Sequence, residues 1–115
     1  MTCDAGTVVV VPFPFTDRAA GKRRPALVVS QRDFNGAGHT VLAMITSAAH
    51  AGWPGDTPLK DLAGAGLAAA SLVRLKLFTL DNRLILRRIG GLSKPDRRAV
   101  RERLEALAGL GGRER

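Results

Sequence analysis

Three apolar, β-branched stretches stand in the first half of the chain, separated by polar or glycine-rich residues. Residues 7–15 (TVVVVPFPF), 25–30 (PALVVS) and 40–47 (TVLAMITS) each predict a strand. Pro12 and Pro14 are two apart, so their missing N–H groups fall on one side, which predicts a sheet edge at the end of the first strand. The second stretch is almost wholly apolar and predicts burial on both faces. In the third, alternation sets Val41, Ala43 and Ile45 on one face and Leu42, Met44 and Thr46 on the other. Asn35 to His39 (NGAGH) reads as a turn. Residues 48–66 are rich in Gly, Ala and Pro and predict irregular chain, with room for a short strand at 57–59.

The second half begins with another alternating stretch, 71–80 (SLVRLKLFTL). It predicts Val73, Leu75 and Leu77 inward, and Arg74 and Lys76 outward. A turn at Asp81 and Asn82 would send 84–89 back as the second arm of a hairpin, ending at Gly90 and Gly91. Residues 93–108 are the clear helix. Ser93 suits the N-cap, Pro95 the first turn and Asp96 the capping-box position. Val100, Leu104 and Leu107 form its apolar stripe, and Gly109 stops it. Strands followed by one C-terminal helix predict a mainly β domain, a small, strongly bent sheet or barrel with the helix on one face. The expected organisation is a single domain spanning 1–115, with a core at about 5–108 and a flexible tail at 109–115.

Composition narrows the classes. The chain has 115 residues, 45% of them apolar, and no apolar run approaches the ~20 residues of a membrane helix. The start, Met1-Thr2-Cys3-Asp4, lacks the basic segment of a secretory leader. A single cysteine suits a reducing, cytoplasmic setting. With only Cys3, His39 and His50 as soft ligands, neither a structural metal nor another cofactor is expected. Charge changes the picture more. Lys and Arg number 18 against 10 Asp and Glu, for a net +8, and 14 of the 18 are Arg. Such an excess points to a polyanionic partner, a nucleic acid or an acidic protein.

The basic residues fall into three clusters. Arg18, Lys22, Arg23 and Arg24 precede the second strand; Arg74, Lys76, Arg83, Arg87 and Arg88 lie along the predicted hairpin; Lys94, Arg97, Arg98, Arg101 and Arg103 lie on the helix. Glu102 and Glu105 interleave with the helix cluster, which reads as a solvated face. The first two clusters have few acids nearby and suit phosphate contacts. Arg24 stands directly before Pro25, which biases it to extended backbone at the mouth of a rigid strand. It fits either a surface position or a preorganised, bidentate phosphate contact. Thr46, followed by Ser47, puts two hydroxyls at a strand end, where they can bond local backbone or aim at a ligand. Trp53 can cover the core edge or stack on a base. His39 and His50 sit in Gly- and Ala-rich turns, and an imidazole there can act as a general base.

Taken in order, GTVVVVPFPFTD (6–17), GKRRPALVVS (21–30), Ile45-Thr46-Ser47, SLVR (71–74), Thr79-Leu80-Asp81 and IGGLS (89–93) resemble the MazF/PemK toxins of bacterial toxin–antitoxin systems. The likeness covers about residues 5–107. It implies an SH3-like barrel of the MazF/PemK/CcdB toxin type and a homodimer. It also implies a metal-independent, sequence-selective endoribonuclease acting on single-stranded RNA and neutralised by an acidic antitoxin, with no membrane involved. By position, Arg24 and Thr46 match the family's catalytic Arg and Thr, and Arg74 matches a further Arg used by some members. Lys22, Arg23, Ser47, Arg74 and Lys76 are then the expected RNA contacts. Some members pair the last Arg with an acid–base Asp, and Lys76 stands around that position here.

The chemistry implied needs no metal, because RNA carries its own nucleophile. Attack by the 2′-OH yields a 2′,3′-cyclic phosphate and a 5′-OH. Arg24 would stabilise the transition-state charge, a role better suited than acid catalysis to a guanidinium, which holds its proton very tightly. Two other readings stand beside it: a toxin of the same fold that inhibits a protein such as gyrase, and a basic nucleic-acid-binding module that cuts nothing.

Overall fold

The computed structural model describes residues 1–12 and 22–110. Among these residues, six strands, β1 (Thr7–Pro12), β2 (Arg23–Val28), β3 (His39–Ser47), β4 (Thr57–Pro58), β5 (Ser71–Asp81) and β6 (Arg87–Gly91), form one sheet in the order β4-β5-β3-β2-β1-β6. All pairings are antiparallel. A short helix, α1 (Arg32–Asn35), joins β2 to β3, and α2 (Lys94–Leu107) follows the sheet. The fold is mainly β, as expected: a curled sheet forming a half-barrel, with a C-terminal helix. No helix among the described residues is long and apolar enough to cross a membrane.

Strand alternation sorts the apolar side chains onto two sides of the sheet. Val9, Val11, Ala26, Val28 and Leu42 pack with Cys3, Phe78 and Ile85 on one side. Val8, Leu27, Ala43, Ile45 and Val73 pack on the other, under Val100 and Leu92 from the helical end and Leu59 and Ala65 from the β4–β5 connection. Helix α2 is fastened by more than its apolar stripe. Ser93 Oγ caps the Asp96 N–H, but the Asp96 carboxylate does not complete the capping box. It is 2% exposed and accepts from the backbone N–H groups of Lys60 and Asp61 at 2.9–3.1 Å, tying the helix to the β4–β5 connection.

The strand β1 runs between β2 and β6, and its end meets the expected edge condition at Pro12, beyond the last β6 pairing at Val10. Pro14 lies outside the described residues, as do Arg18 and the end of the tail, 111–115. Four other expectations are corrected. There is no β5–β6 hairpin. A 3₁₀ turn at Asn82–Leu84 carries the chain across the sheet to pair with β1. Gly90 and Gly91 belong to β6 rather than ending the structure, and a Cβ on Gly90 would fall 2.4 Å from the Ala65 carbonyl carbon. Finally, the β3–β5 register shifts between Ala43 and Met44, whose partners are Leu77 and Arg74. The step leaves Leu75 and Lys76 without β3 partners, and beyond it Phe78 is buried on one side of the sheet while Leu77, on the side of Val73, is 37% exposed. On α2, Val100 is buried while Leu107 is exposed, so the stripe ends before the helix does.

Candidate active site

The site grows from the end of β3. In the β2–β3 ladder Ala26 is opposite Met44, and Pro25, which has no N–H to offer, ends the bonded pairing. Arg24 is opposite Val11 on β1, two positions from the Ala26–Val9 pair, and so lies on the same side of β2 as Ala26. On the other flank of β3, Met44 is opposite Arg74 and Thr46 opposite Leu72. Side chains two apart share a face, so Arg24, Thr46 and Arg74 continue the face that carries Ala26 and Met44. Three residues far apart in sequence thus fall on one side of the sheet. Arg24 is exposed, and with Arg23, Arg87 and Leu86 it lines a cleft of about 540 Å³ beside the start of β2. Lys22 and Arg23 are exposed there as well.

Beyond Thr46 the chain turns. Ser47 Oγ accepts from the Ala49 N–H at 3.2 Å and caps the 3₁₀ turn Ala48–His50. That turn brings His50 Nδ1 to 3.5 Å from Thr46 Oγ1. Thr46 therefore faces an imidazole, not local backbone.

Arg74 is the frame of the loop that follows. Its Nε and Nη2 donate to the two oxygens of Asp56 at 3.0 and 2.9 Å, a bidentate pair whose side chains are only 13% and 9% exposed. Nη2 also donates to the His50 carbonyl oxygen at 2.6 Å. Asp56 Oδ2 accepts from the N–H groups of Trp53 and Gly52 as well. The Arg74 hydrogen bonds hold the Asp56 carboxyl below the usual carboxylate range, with burial opposing and the Trp53 N–H adding. From α2, Arg103 reaches the Asp56 carbonyl oxygen and Thr57 Oγ1, so one of the helix arginines is structural rather than solvated.

Trp53 does not cover the core. It is 44% exposed, with the Arg74 guanidinium 5.5 Å and the Lys76 ammonium 5.6 Å from its ring centroid. Lys76 thus stands beside Arg74 as expected, as part of this cationic and aromatic group. The sequence reading missed Asp56. It lies 18 residues before Arg74 in irregular chain, and spacing offers no signal for such a pair. Among the described residues no three His, Cys, Asp or Glu side chains gather that could hold a metal ion.

The curled antiparallel half-barrel with its C-terminal helix is the MazF-like fold. The sequence profile of the PemK-like, MazF-like toxins of type II toxin–antitoxin systems matches residues 4–108, and the chain belongs to that family. Among solved structures, it is 29% identical to MazF in a MazE–MazF complex from Deinococcus radiodurans, covering 98% of this chain and 100% of that one with a TM-score of 0.74. MazF alone from the same organism is 29% identical over 96% of this chain and 99% of that one, with a TM-score of 0.72. An endoribonuclease in complex with its cognate antitoxin, from mycobacterial species, shares the fold at 14% identity, covering 96% and 99% with a TM-score of 0.75. No curated protein matches the sequence.

Proposed function

We propose that this toxin is an endoribonuclease that cuts single-stranded RNA through the RNA's own 2′-OH, without a metal. Family membership supports the reading, and so does one observation in particular: the strand register that aligns Arg24, Thr46 and Arg74 on one face. In-line attack of the 2′-oxygen on phosphorus needs three things from the protein. The nucleophile must be aligned, charge on the pentacoordinate phosphate must be stabilised, and protons must move at two oxygens. Arg24, exposed and held extended before Pro25, supplies positive charge to the phosphate. Thr46 supplies a hydroxyl to the phosphate or the 2′-OH. Arg74 is committed to Asp56 and the His50 carbonyl, so its contribution is to hold the loop and to add positive potential. Lys22, Arg23, Ser47 and Lys76 lie around these groups as RNA contacts.

The protein acts in the cytoplasm as a homodimer, and an acidic antitoxin competes with RNA for the basic surface. The test uses a defined single-stranded RNA incubated in EDTA with wild type and Arg24→Ala. The expected result is cleavage leaving a 2′,3′-cyclic phosphate and a 5′-OH, reduced roughly 10²–10³-fold in the variant. A DNA strand of the same sequence should stay intact because it lacks the nucleophile. Growth arrest by the wild type with all RNA intact would favour a toxin of this fold that inhibits a protein target.

A further inference from the structure

A proton acceptor is needed at the 2′-oxygen. Among the described residues at this end of the sheet, most groups are unsuited to the task. Arg24, Arg74 and Lys76 are donors only when charged. Thr46 carries a neutral hydroxyl. The Asp56 carboxylate spends its oxygens on Arg74, Trp53 and Gly52, and those bonds stabilise its charged form and weaken it as a base.

His50 has the chemistry and the position. Its side chain is exposed, and Nδ1 is 3.5 Å from Thr46 Oγ1, a separation that substrate binding can tighten. Its main chain is fixed independently of its ring. The carbonyl oxygen accepts from Arg74 Nη2, and the turn is capped by Ser47. The charged groups tied to it come from two directions: Arg74 on β5, which binds its carbonyl and has Lys76 beside it over Trp53, and Asp56 in the loop before β4, paired with Arg74. We propose that His50 is the general base of the cleavage step, taking the 2′-OH proton at a position fixed by Thr46 and by the Arg74–Asp56 pair.

The step balances as follows. The 2′-OH proton passes to the free ring nitrogen of neutral His50 as the 2′-oxygen bonds to phosphorus. The bond from phosphorus to the 5′-oxygen breaks, and that oxygen takes a proton from water. The imidazolium returns its proton to the hydroxide so formed, leaving a 2′,3′-cyclic phosphate and a 5′-OH. His50 thereby takes on proton transfer at a site where Lys76 stands and a carboxylate is otherwise expected.

The proposal rests on the ribonuclease reading, and the experiment separates the two. Single-turnover cleavage of a long, mixed-sequence, single-stranded RNA is followed in EDTA across the pH range in which an imidazole titrates, with wild type, His50→Gln and His50→Ala. Glutamine can still hydrogen-bond Thr46 but cannot carry the proton. For wild type the logarithm of the rate should rise with pH with unit slope and then level off. In His50→Gln the rate should fall about 10²–10⁴-fold and the rising limb should disappear. Imidazole added to His50→Ala should restore cleavage in proportion to its neutral form. Melting temperatures equal to wild type establish that both variants fold. Wild type that cuts, with His50→Gln cutting at the same rate and with the same pH profile, overturns the assignment and leaves the ribonuclease intact. A folded wild type that leaves the RNA whole overturns both.

Discussion

A guanidinium has five N–H donors, and Arg74 places them on two acceptors that lie in one loop, the Asp56 carboxylate and the His50 carbonyl. Because both ion-pair side chains are nearly buried, removing one partner costs more than the pair itself contributes. Asp56→Asn should destabilise the fold by about 2–4 kcal/mol in urea unfolding, since Arg74 keeps its charge but loses its counter-ion. A pH dependence follows. The Asp56 pKa in the folded state lies below its unfolded value, so the unfolded chain binds the proton more tightly. The contribution of Asp56 is therefore fully present above pH ~5 and is lost as pH falls through the depressed pKa. Melts from pH 7 down to pH 3 should show wild type losing more stability than Asp56→Asn, the two converging at the acid end. Parallel curves would mean that the pair does not discriminate between protonation states. At this scale the sequence was legible where local rules act. Arg24 before Pro25 and Thr46 at a strand end could both be marked as unusual. Asp56 could not, because its role depends on a contact across 18 residues of chain.

Among the elements, β3 was the most legible. Its alternation appears in the structure residue for residue, with Leu42, Ala43 and Ile45 all buried. It pairs on both flanks, so neighbours constrain each of its faces. The strand β5 was legible only in part. A bulge leaves Leu75 and Lys76 without β3 partners, and which side of the strand is covered beyond it depends on the neighbouring elements, which no single stretch records. The hairpin failed for a similar reason. Asp81 and Asn82 do turn the chain, with Asp81 accepting from the Arg83 N–H, but turn chemistry does not decide which strand the returning segment meets. The cap of α2 was read correctly at Ser93, whereas the Asp96 carboxylate leaves the helix to bind the β4–β5 connection. Asp96→Ala tests the weight of that link. It removes the acceptor for two backbone N–H groups at once and should lower stability by about 2–3 kcal/mol. A loss below about 0.5 kcal/mol in urea titration would mean that water satisfies both groups in its place.

For the molecule as a whole, the net charge of +8 is divided among distinct tasks. The sheet order separates basic residues that are close in sequence, with Arg74 and Lys76 on β5 beside β3, and Arg87 and Arg88 on β6 at the far edge. Arg87 rejoins Arg23 and Arg24 at the cleft beside β2. On α2, Arg103 is tied to Asp56 and Thr57, and the Arg97 guanidinium lies so close over Gly6 that a Cβ there would come within 2.7 Å of it. The exposed Lys22, Arg23, Arg24 and Arg87 thus form a basic group around the start of β2, separate from the exposed Lys94, Arg98 and Arg101 on α2. Binding to a phosphate backbone releases counter-ions, so each phosphate contact steepens the dependence of log K on log salt by about 0.7 for a single strand. Affinity for a DNA oligonucleotide, which binds without being cut, should therefore fall steeply with salt. Arg24→Ala should reduce that slope by about 0.7, and Arg23→Ala by a similar amount. Arg98→Ala, on the exposed side of α2, should leave it unchanged. Equal losses of slope from Arg24→Ala and Arg98→Ala would show that the nucleic acid senses only the total charge. A loss confined to the residues around β2 would place the strand path beside Thr46, where the RNA's 2′-OH can be reached.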